Sequence, residues 1–192
     1  MLSFGQVILA SESPRRQVLL HQIGMDFTAI FSGIDEDISI DLPPNQLAKH
    51  FAREKAHAVA VDYPNQLVIG ADTIVVFDGQ ILGKPKDNEH SFQMLSTLSG
   101  NTHQVITGVA LQLRDKNLDK TFHAETNVTF NTLSDSDIYY YIDTYNPFDK
   151  AGSYSIQDWF AVFVKHIDGC FYNVMGLPLA NLWEHINNVE IN

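Results

Sequence analysis

In the stretch ILASESPRRQVLL, residues 8–20, two adjacent arginines, Arg15 and Arg16, fall in what reads as the first turn of a helix. Ser13 has the character of an N-cap and Pro14 that of a first helical residue. A helix N-terminus carries partial positive charge and unpaired N–H groups, and acidic side chains are what normally settle there. Two cations at that spot repel the dipole unless something strongly negative joins them. A strand followed by a serine-rich turn presents N–H donors to phosphate, so the pair reads as an anion site. Two surface cations paired with neighbouring carboxylates is the competing account, and this stretch alone leaves it open.

Three further positions carry candidate chemistry. In NQLAKHFAREKAHAVAV, residues 45–61, Leu47, Ala48, Phe51, Ala52, Ala56 and Val59 form an inward helical stripe, and Lys55 falls near its middle. At a stripe's edge a lysine sends its amine out along an apolar stem, but at the centre that escape is hard, and a functional ammonium is expected. His50, Glu54 and His57 share the opposite, solvated face and are not read as metal ligands. Asp72, in VIGADTIVVF, is a carboxylate between two apolar runs, costly unless paired, hydrogen-bonded or bound to a cation. Gly70 beside it suggests a break or bulge, with the strand resuming at Thr73. Lys84 follows in the rigid turn GKPKD, and in DKAGSYSIQ the small residues let a ligand approach while the Gln157 amide can read a base edge.

Several cations, one poised carboxylate and an acidic loop at Asp35–Glu36 are the parts required to cleave a phosphoanhydride: cations grip the polyphosphate and carboxylates hold a divalent metal. No GxSxG, cysteine–histidine or GxxxxGK[ST] pattern is present. Water is therefore the economical nucleophile.

The elements that must position these residues read as one α/β domain spanning residues 1–192. QVILA is a short buried strand, the helix from Ser13 runs to about Ile23, and FTAIFS is a second strand. QLVIGADTIVVFDGQIL is an apolar strand turning at Asp78–Gly79. Asp87 caps a helix ending at Gly100, and HQVITGVALQLR and ETNVTFNTL are half-buried strands of a long hairpin. Ser134 and Asp137 start a helix through Tyr145, whose tyrosines read as packing; AVFVKHI is a strand, and Leu177–Asn188 a last helix.

Net charge is −11, which argues against general nucleic-acid or anionic-membrane binding but not against a small anion held by focused cations. One cysteine, Cys170, suits a reducing compartment. MLSFGQVILA lacks the pattern of a leader, no run approaches the ~20 apolar residues of a membrane span, and a cytoplasmic chain is expected.

Taken in order, LASESPRRQVLL, GIDED, AREKA, GADTIVV, GKPKD, TGVAL, DKAGSYSIQ and GLPL resemble the motifs of the Maf family of nucleoside triphosphate pyrophosphatases, nearly end to end. The resemblance implies an α/β fold with an elongated mixed sheet, flanked by helices and split by a cleft, related to the inosine triphosphatase fold. It implies cytoplasmic homodimers that need magnesium or manganese and release a nucleoside monophosphate and pyrophosphate. By the same carry-over Asp72 accepts the proton of water, Ser11, Arg16, Lys55 and Lys84 hold the triphosphate, and Glu36 joins Asp72 in binding metal. Arg15, Thr73 and Gln157 match the selector positions of the subfamily acting on dTTP and UTP, as opposed to 7-methyl-GTP. The same chemistry on 7-methyl-GTP is the nearest alternative, and a nucleotide-binding regulator of division with little turnover is the alternative of another class. Two departures stand out: Glu12 replaces a common glycine, and Asp158, Trp159 and Phe160 replace a small, glycine-rich segment.

Overall fold

The computed structural model describes residues 6–188; the first five residues, half of the stretch read as lacking a leader, lie outside the described residues. In chain order the elements are β1 (Val7–Leu9), α1 (Pro14–Gln22), β2 (Phe27–Ala29), α2 (Pro44–Ala60), β3 (Val68–Phe77), β4 (Gln80–Leu82), α3 (Asn88–Leu98), β5 (Thr102–Leu113), β6 (Leu118–Phe130), α4 (Asp135–Tyr145), β7 (Val164–Asp168), α5 (Phe171–Met175) and α6 (Leu179–Asn187). A seven-stranded sheet takes the order β2-β1-β3-β5-β6-β7, with β4 also beside β3. β1 is parallel to β2 and β3, and the remaining pairings are antiparallel, so the sheet is mixed.

Local signals place the helix starts. Asp87 Oδ1 accepts the His90 N–H at 2.8 Å at the head of α3, and Ser134 with Asp137 forms a reciprocal capping box on α4. α1 differs: neither a side-chain cap nor an acidic first-turn residue neutralises its N-terminus. Among the described residues no helix is long and apolar enough to cross a membrane.

The long strands β3, β5 and β6 span two cores. At one end Leu9, Leu19, Leu20, Ile69, Val109 and Leu182 pack together, joining α1 and α6 to the sheet. At the other, Leu95, Leu98, Phe130, Ile138, Tyr141 and Phe160 join α3 and α4 to it. On the opposite face α2 lays Ala52, Ala56, Val59 and Ala60 against Ile8, Val68 and Ala110.

β3 does not break at Gly70. It runs unbroken from Val68 to Phe77 and pairs with β5 from Val68 through Val76. A Cβ at Gly70 would land on the Ala52 carbonyl oxygen and 2.8 Å from Ala56 N, and one at Gly108 would lie 2.5 Å from Lys49 N. These glycines admit α2 close to the sheet instead of bending a strand. The interruption lies in β3's neighbours. Along the edge of β3 away from β5, β1 pairs only as far as Ile69, and β4 begins pairing at Val75. The gap between them leaves Asp72 and Thr73 open, one on each face of the strand by its two-residue period.

Further on, the AVFVKHI expectation is half met: Trp159–Phe163 coils as a 3-10 turn and the strand starts at Val164. The short α5 has no counterpart in the sequence reading, being too brief for a periodic signal.

Candidate active site

At the gap in the sheet opens a cleft of about 1070 Å³, and every residue expected at the site from sequence lines it. Lys55 is its innermost cation. The close seating of α2 holds Lys55 at 7% exposure beside Asp72 at 4%. The Lys55 ammonium donates to Asp72 Oδ1 at 2.6 Å and to Glu36 Oε1 at 2.6 Å, and Lys84 Nζ lies 3.5 Å from Glu36 Oε2. A lysine at the centre of an apolar stripe is thus satisfied by two carboxylates arriving from β3 and the β2–α2 loop.

The two carboxylates differ in proton affinity. Burial acts to raise the Glu36 carboxyl, but Lys55, with help from Lys84, outweighs it and holds the group down to about 2. At Asp72 burial dominates: it lifts the carboxyl above its ordinary value, Lys55 only partly offsets this, and the charge of Glu36 adds to the rise. Glu36 thus holds a proton more weakly than an ordinary carboxyl, and Asp72 holds one more tightly.

Arg16 forms the opposite wall. Its Nε donates to the Gly176 carbonyl at 2.9 Å, Nη1 to Ser11 Oγ at 3.1 Å and Nη2 to Thr73 Oγ1 at 3.1 Å. All three acceptors are uncharged, so the guanidinium is positioned without being neutralised, and two of its five N–H donors remain for a ligand. Burial, and after it Arg15, act to lower its proton affinity, against the pull of Asp72 and Glu36, and the balance falls below the ordinary value. An anion here relieves that imbalance. Thr107 Oγ1 donates to the Asn173 carbonyl at 2.9 Å, so in the 2.9 Å Thr73–Thr107 contact Thr73 is the donor. The lone pairs of Thr73 are thereby turned to Arg16. Sequence reasoning missed Thr107, Asn173 and Gly176 as supports for Arg16, because contacts across 66 and 160 residues leave no local pattern.

Arg15 Nη1 lies 3.9 Å from Asp149 Oδ2 at the cleft mouth, and Gln157 is exposed there. The segment leading to Gln157 rests on a buried polar and aromatic floor. His103 Nε2 meets the Tyr154 hydroxyl at 2.8 Å, and the Tyr141 hydroxyl accepts the Ser155 N–H at 3.1 Å while donating to Asp158 Oδ2 at 3.0 Å. Burial lowers His103 to about 4, so it braces Tyr154 as a neutral imidazole near pH 7. Asp158, Trp159 and Phe160 belong to this floor: Trp159 stacks on Tyr145 with ring centroids 6.3 Å apart, and Phe160 is fully buried. Glu12 lies exposed on the cleft wall.

Glu36 and Asp72 converge on one cationic centre, the Lys55 ammonium. Two carboxylates are a fitting donor set for a hard divalent cation that completes its shell from water and substrate phosphate. Among the described residues no group of three or more His, Cys, Asp or Glu side chains gathers into an all-protein metal cage.

The model of the family described as Maf-like protein matches residues 6–189. A protein of Bacillus velezensis named dTTP/UTP pyrophosphatase is 45% identical over 186 residues, covering 97% of each chain. One of the same name from Symbiobacterium thermophilum is 49% identical over 174 residues, 91% of this chain and 89% of that one. Among solved structures, the Ham1 protein of Staphylococcus aureus matches with a TM-score of 0.46 at 16% identity, over 66% of this chain and 72% of that one.

Proposed function

Because the chain belongs to the Maf family, we propose that it is a nucleoside triphosphate pyrophosphatase that hydrolyses dTTP and UTP to the monophosphate and pyrophosphate. The observation that carries this reading is the buried Asp72 carboxylate, open to the sheet gap and flanked by Lys55 and Glu36, with Arg16 in the same cleft. The relatives' shared name supplies the substrates, and Arg15, Thr73 and Gln157 match the selector set that the family resemblance attaches to them.

In this reading Ser11, Arg16, Lys55 and Lys84 orient the triphosphate, and water attacks the α-phosphorus. A bond forms between that oxygen and the α-phosphorus, the bond to the bridging α,β-oxygen breaks, and Asp72 takes the water's proton. Pyrophosphate carries away the bonding electron pair. A divalent cation bound by Glu36 and Asp72 supplies neutralisation of phosphate charge. Positioning and charge stabilisation are the main sources of rate in phosphoryl transfer, and a fixed cationic cleft provides both. The homodimeric, cytoplasmic state implied by the family belongs to the same reading. So does the absence of nucleic-acid and membrane partners, supported by the net charge of −11.

Pyrophosphate release is the test, measured with magnesium or manganese from dTTP, UTP, CTP, dATP, GTP and 7-methyl-GTP. Preference for dTTP and UTP is the expected result. Preference for 7-methyl-GTP would keep the reaction and overturn the selector reading. Release from none would point to a nucleotide-binding regulator.

A further inference from the structure

Six of the chain's 12 lysines and arginines line the cleft, in a protein of net charge −11. Two of them, Arg15 and Lys150, meet at one carboxylate: Arg15 Nη1 is 3.9 Å from Asp149 Oδ2, and Lys150 Nζ is 2.6 Å from Asp149 Oδ1. Their settings are unequal. The Lys150 side chain is 15% exposed and the Asp149 side chain 69%. The backbone beyond Lys150 is pinned where Gly152 donates its N–H to the Gly83 carbonyl at 3.1 Å, beside Lys84. The cation is thus built into the cleft wall, while the anion that satisfies it stands at the mouth with water available.

We propose that Asp149 is an internal anion that occupies Lys150 in the free protein and yields it to a phosphate of the bound triphosphate. Lys150 is then a further phosphate-binding residue, and Asp149 sets the affinity of the cleft. The identity of the displacing anion rests on the pyrophosphatase reading; the anion-receiving character of Lys150 does not. An exposed carboxylate contributes little to such a pair because water competes for it, so displacing it costs little. A phosphate brings more charge and more acceptor oxygens to the same ammonium. The 3.9 Å approach of Arg15 also ties the first turn of α1 to the Asp149 turn, so displacement frees both sides of the mouth together.

The experiment is calorimetric titration with inorganic tripolyphosphate, which carries the charge of the substrate tail and no base. Asp149→Asn is expected to bind it roughly three- to tenfold more tightly than the parent, and Lys150→Gln more weakly by a similar factor. In the double variant the gain from Asp149→Asn disappears, and in Asp149→Asn the KM for nucleotide falls by the same factor as the tripolyphosphate Kd. Asp35→Asn, another carboxylate of the cleft wall, controls for loss of charge alone. Unchanged or weaker binding by Asp149→Asn would overturn the proposal. So would an equal gain in Asp35→Asn, or a gain that survives in the Lys150→Gln background. If no nucleotide is hydrolysed yet the binding differences hold, the pyrophosphatase reading fails and the anion latch stands. Hydrolysis without the binding differences means the reverse.

Discussion

Lys55 and Asp72 lie 2.6 Å apart, nitrogen to oxygen, where α2 seats against β3, and both side chains are more than nine-tenths covered. A buried ion pair is a poor source of stability, because desolvation of both charges offsets most of their attraction. A carboxylate perturbed by burial and a specific charge partner, beside a cleft, is the kind of group that functional sites use.

Neutralising Asp72 does not strand the Lys55 ammonium, which keeps Glu36 at 2.6 Å, so the desolvation of Asp72 itself decides the sign. Asp72 has its proton affinity raised by burial, so the fold holds that proton more tightly than the unfolded chain does. Its contribution is fully present below the ordinary carboxylate value of 3.8 and is lost as pH climbs through the raised folded value. Asp72→Asn is expected to match or exceed the parent's Tm at pH 7, with the difference shrinking toward pH 4. Calorimetry across that range checks it, and a lower Tm at neutral pH would contradict it.

Glu36 runs the other way. Its folded value of about 2 lies below the ordinary 4.5, so its stabilisation is present above 4.5 and is lost as pH falls toward 2. In metal-free protein, Glu36→Gln should flatten the acid side of the stability curve over that window. With metal present the same variant should need more magnesium or manganese for half-maximal turnover. Removal of metal by chelation should stop turnover in the parent, and re-addition should restore it.

Thr73 braces Arg16, and its hydroxyl proton is spent on Thr107. Thr73→Val leaves one guanidinium donor and the Thr107 oxygen without their partner. A loss of about 1.5 kcal/mol in substrate binding is expected, near tenfold in KM, with kcat affected less. Thr73→Ser, which keeps the hydroxyl, should recover most of it.

Gly70→Ala tests the seating of α2. The added methyl meets the Ala52 carbonyl and lies 2.8 Å from Ala56 N, both backbone atoms that cannot swing aside. Destabilisation of about 1–3 kcal/mol is expected, together with a fall in kcat because Lys55 rides on the displaced helix. Chemical denaturation and steady-state kinetics read the two effects.

Much of this site was legible because single residues violated their local surroundings. Lys55 at the centre of an apolar stripe and Asp72 inside an apolar strand each demanded a partner, and they turn out to be each other's. The arginine pair was legible through helix chemistry, since α1 lacks the acidic first turn that would have cancelled it. Gly70 misled because a glycine in a strand has two physical uses, bending the chain or admitting a neighbour, and only the position of α2 decides between them. The gap that exposes Asp72 comes from where β1 stops and β4 starts, a property of pairing partners distant in sequence. Thr73 was legible as a position at the site through family likeness, but its hydrogen-bond direction depends on Thr107 and Asn173 and could not be read from its own neighbourhood. Trp159 looked like a departure near the selector glutamine, and its stacking on Tyr145 shows it supporting the floor of that segment.

Whether Asp72 takes the proton of the attacking water is tested by pyrophosphate release from dTTP and UTP by the parent and by Asp72→Asn at saturating metal. Release by the parent and a loss of roughly 10²- to 10⁴-fold in kcat in the variant, whose fold remains intact, are the expected results. A variant that turns over at the parent's rate would contradict that role.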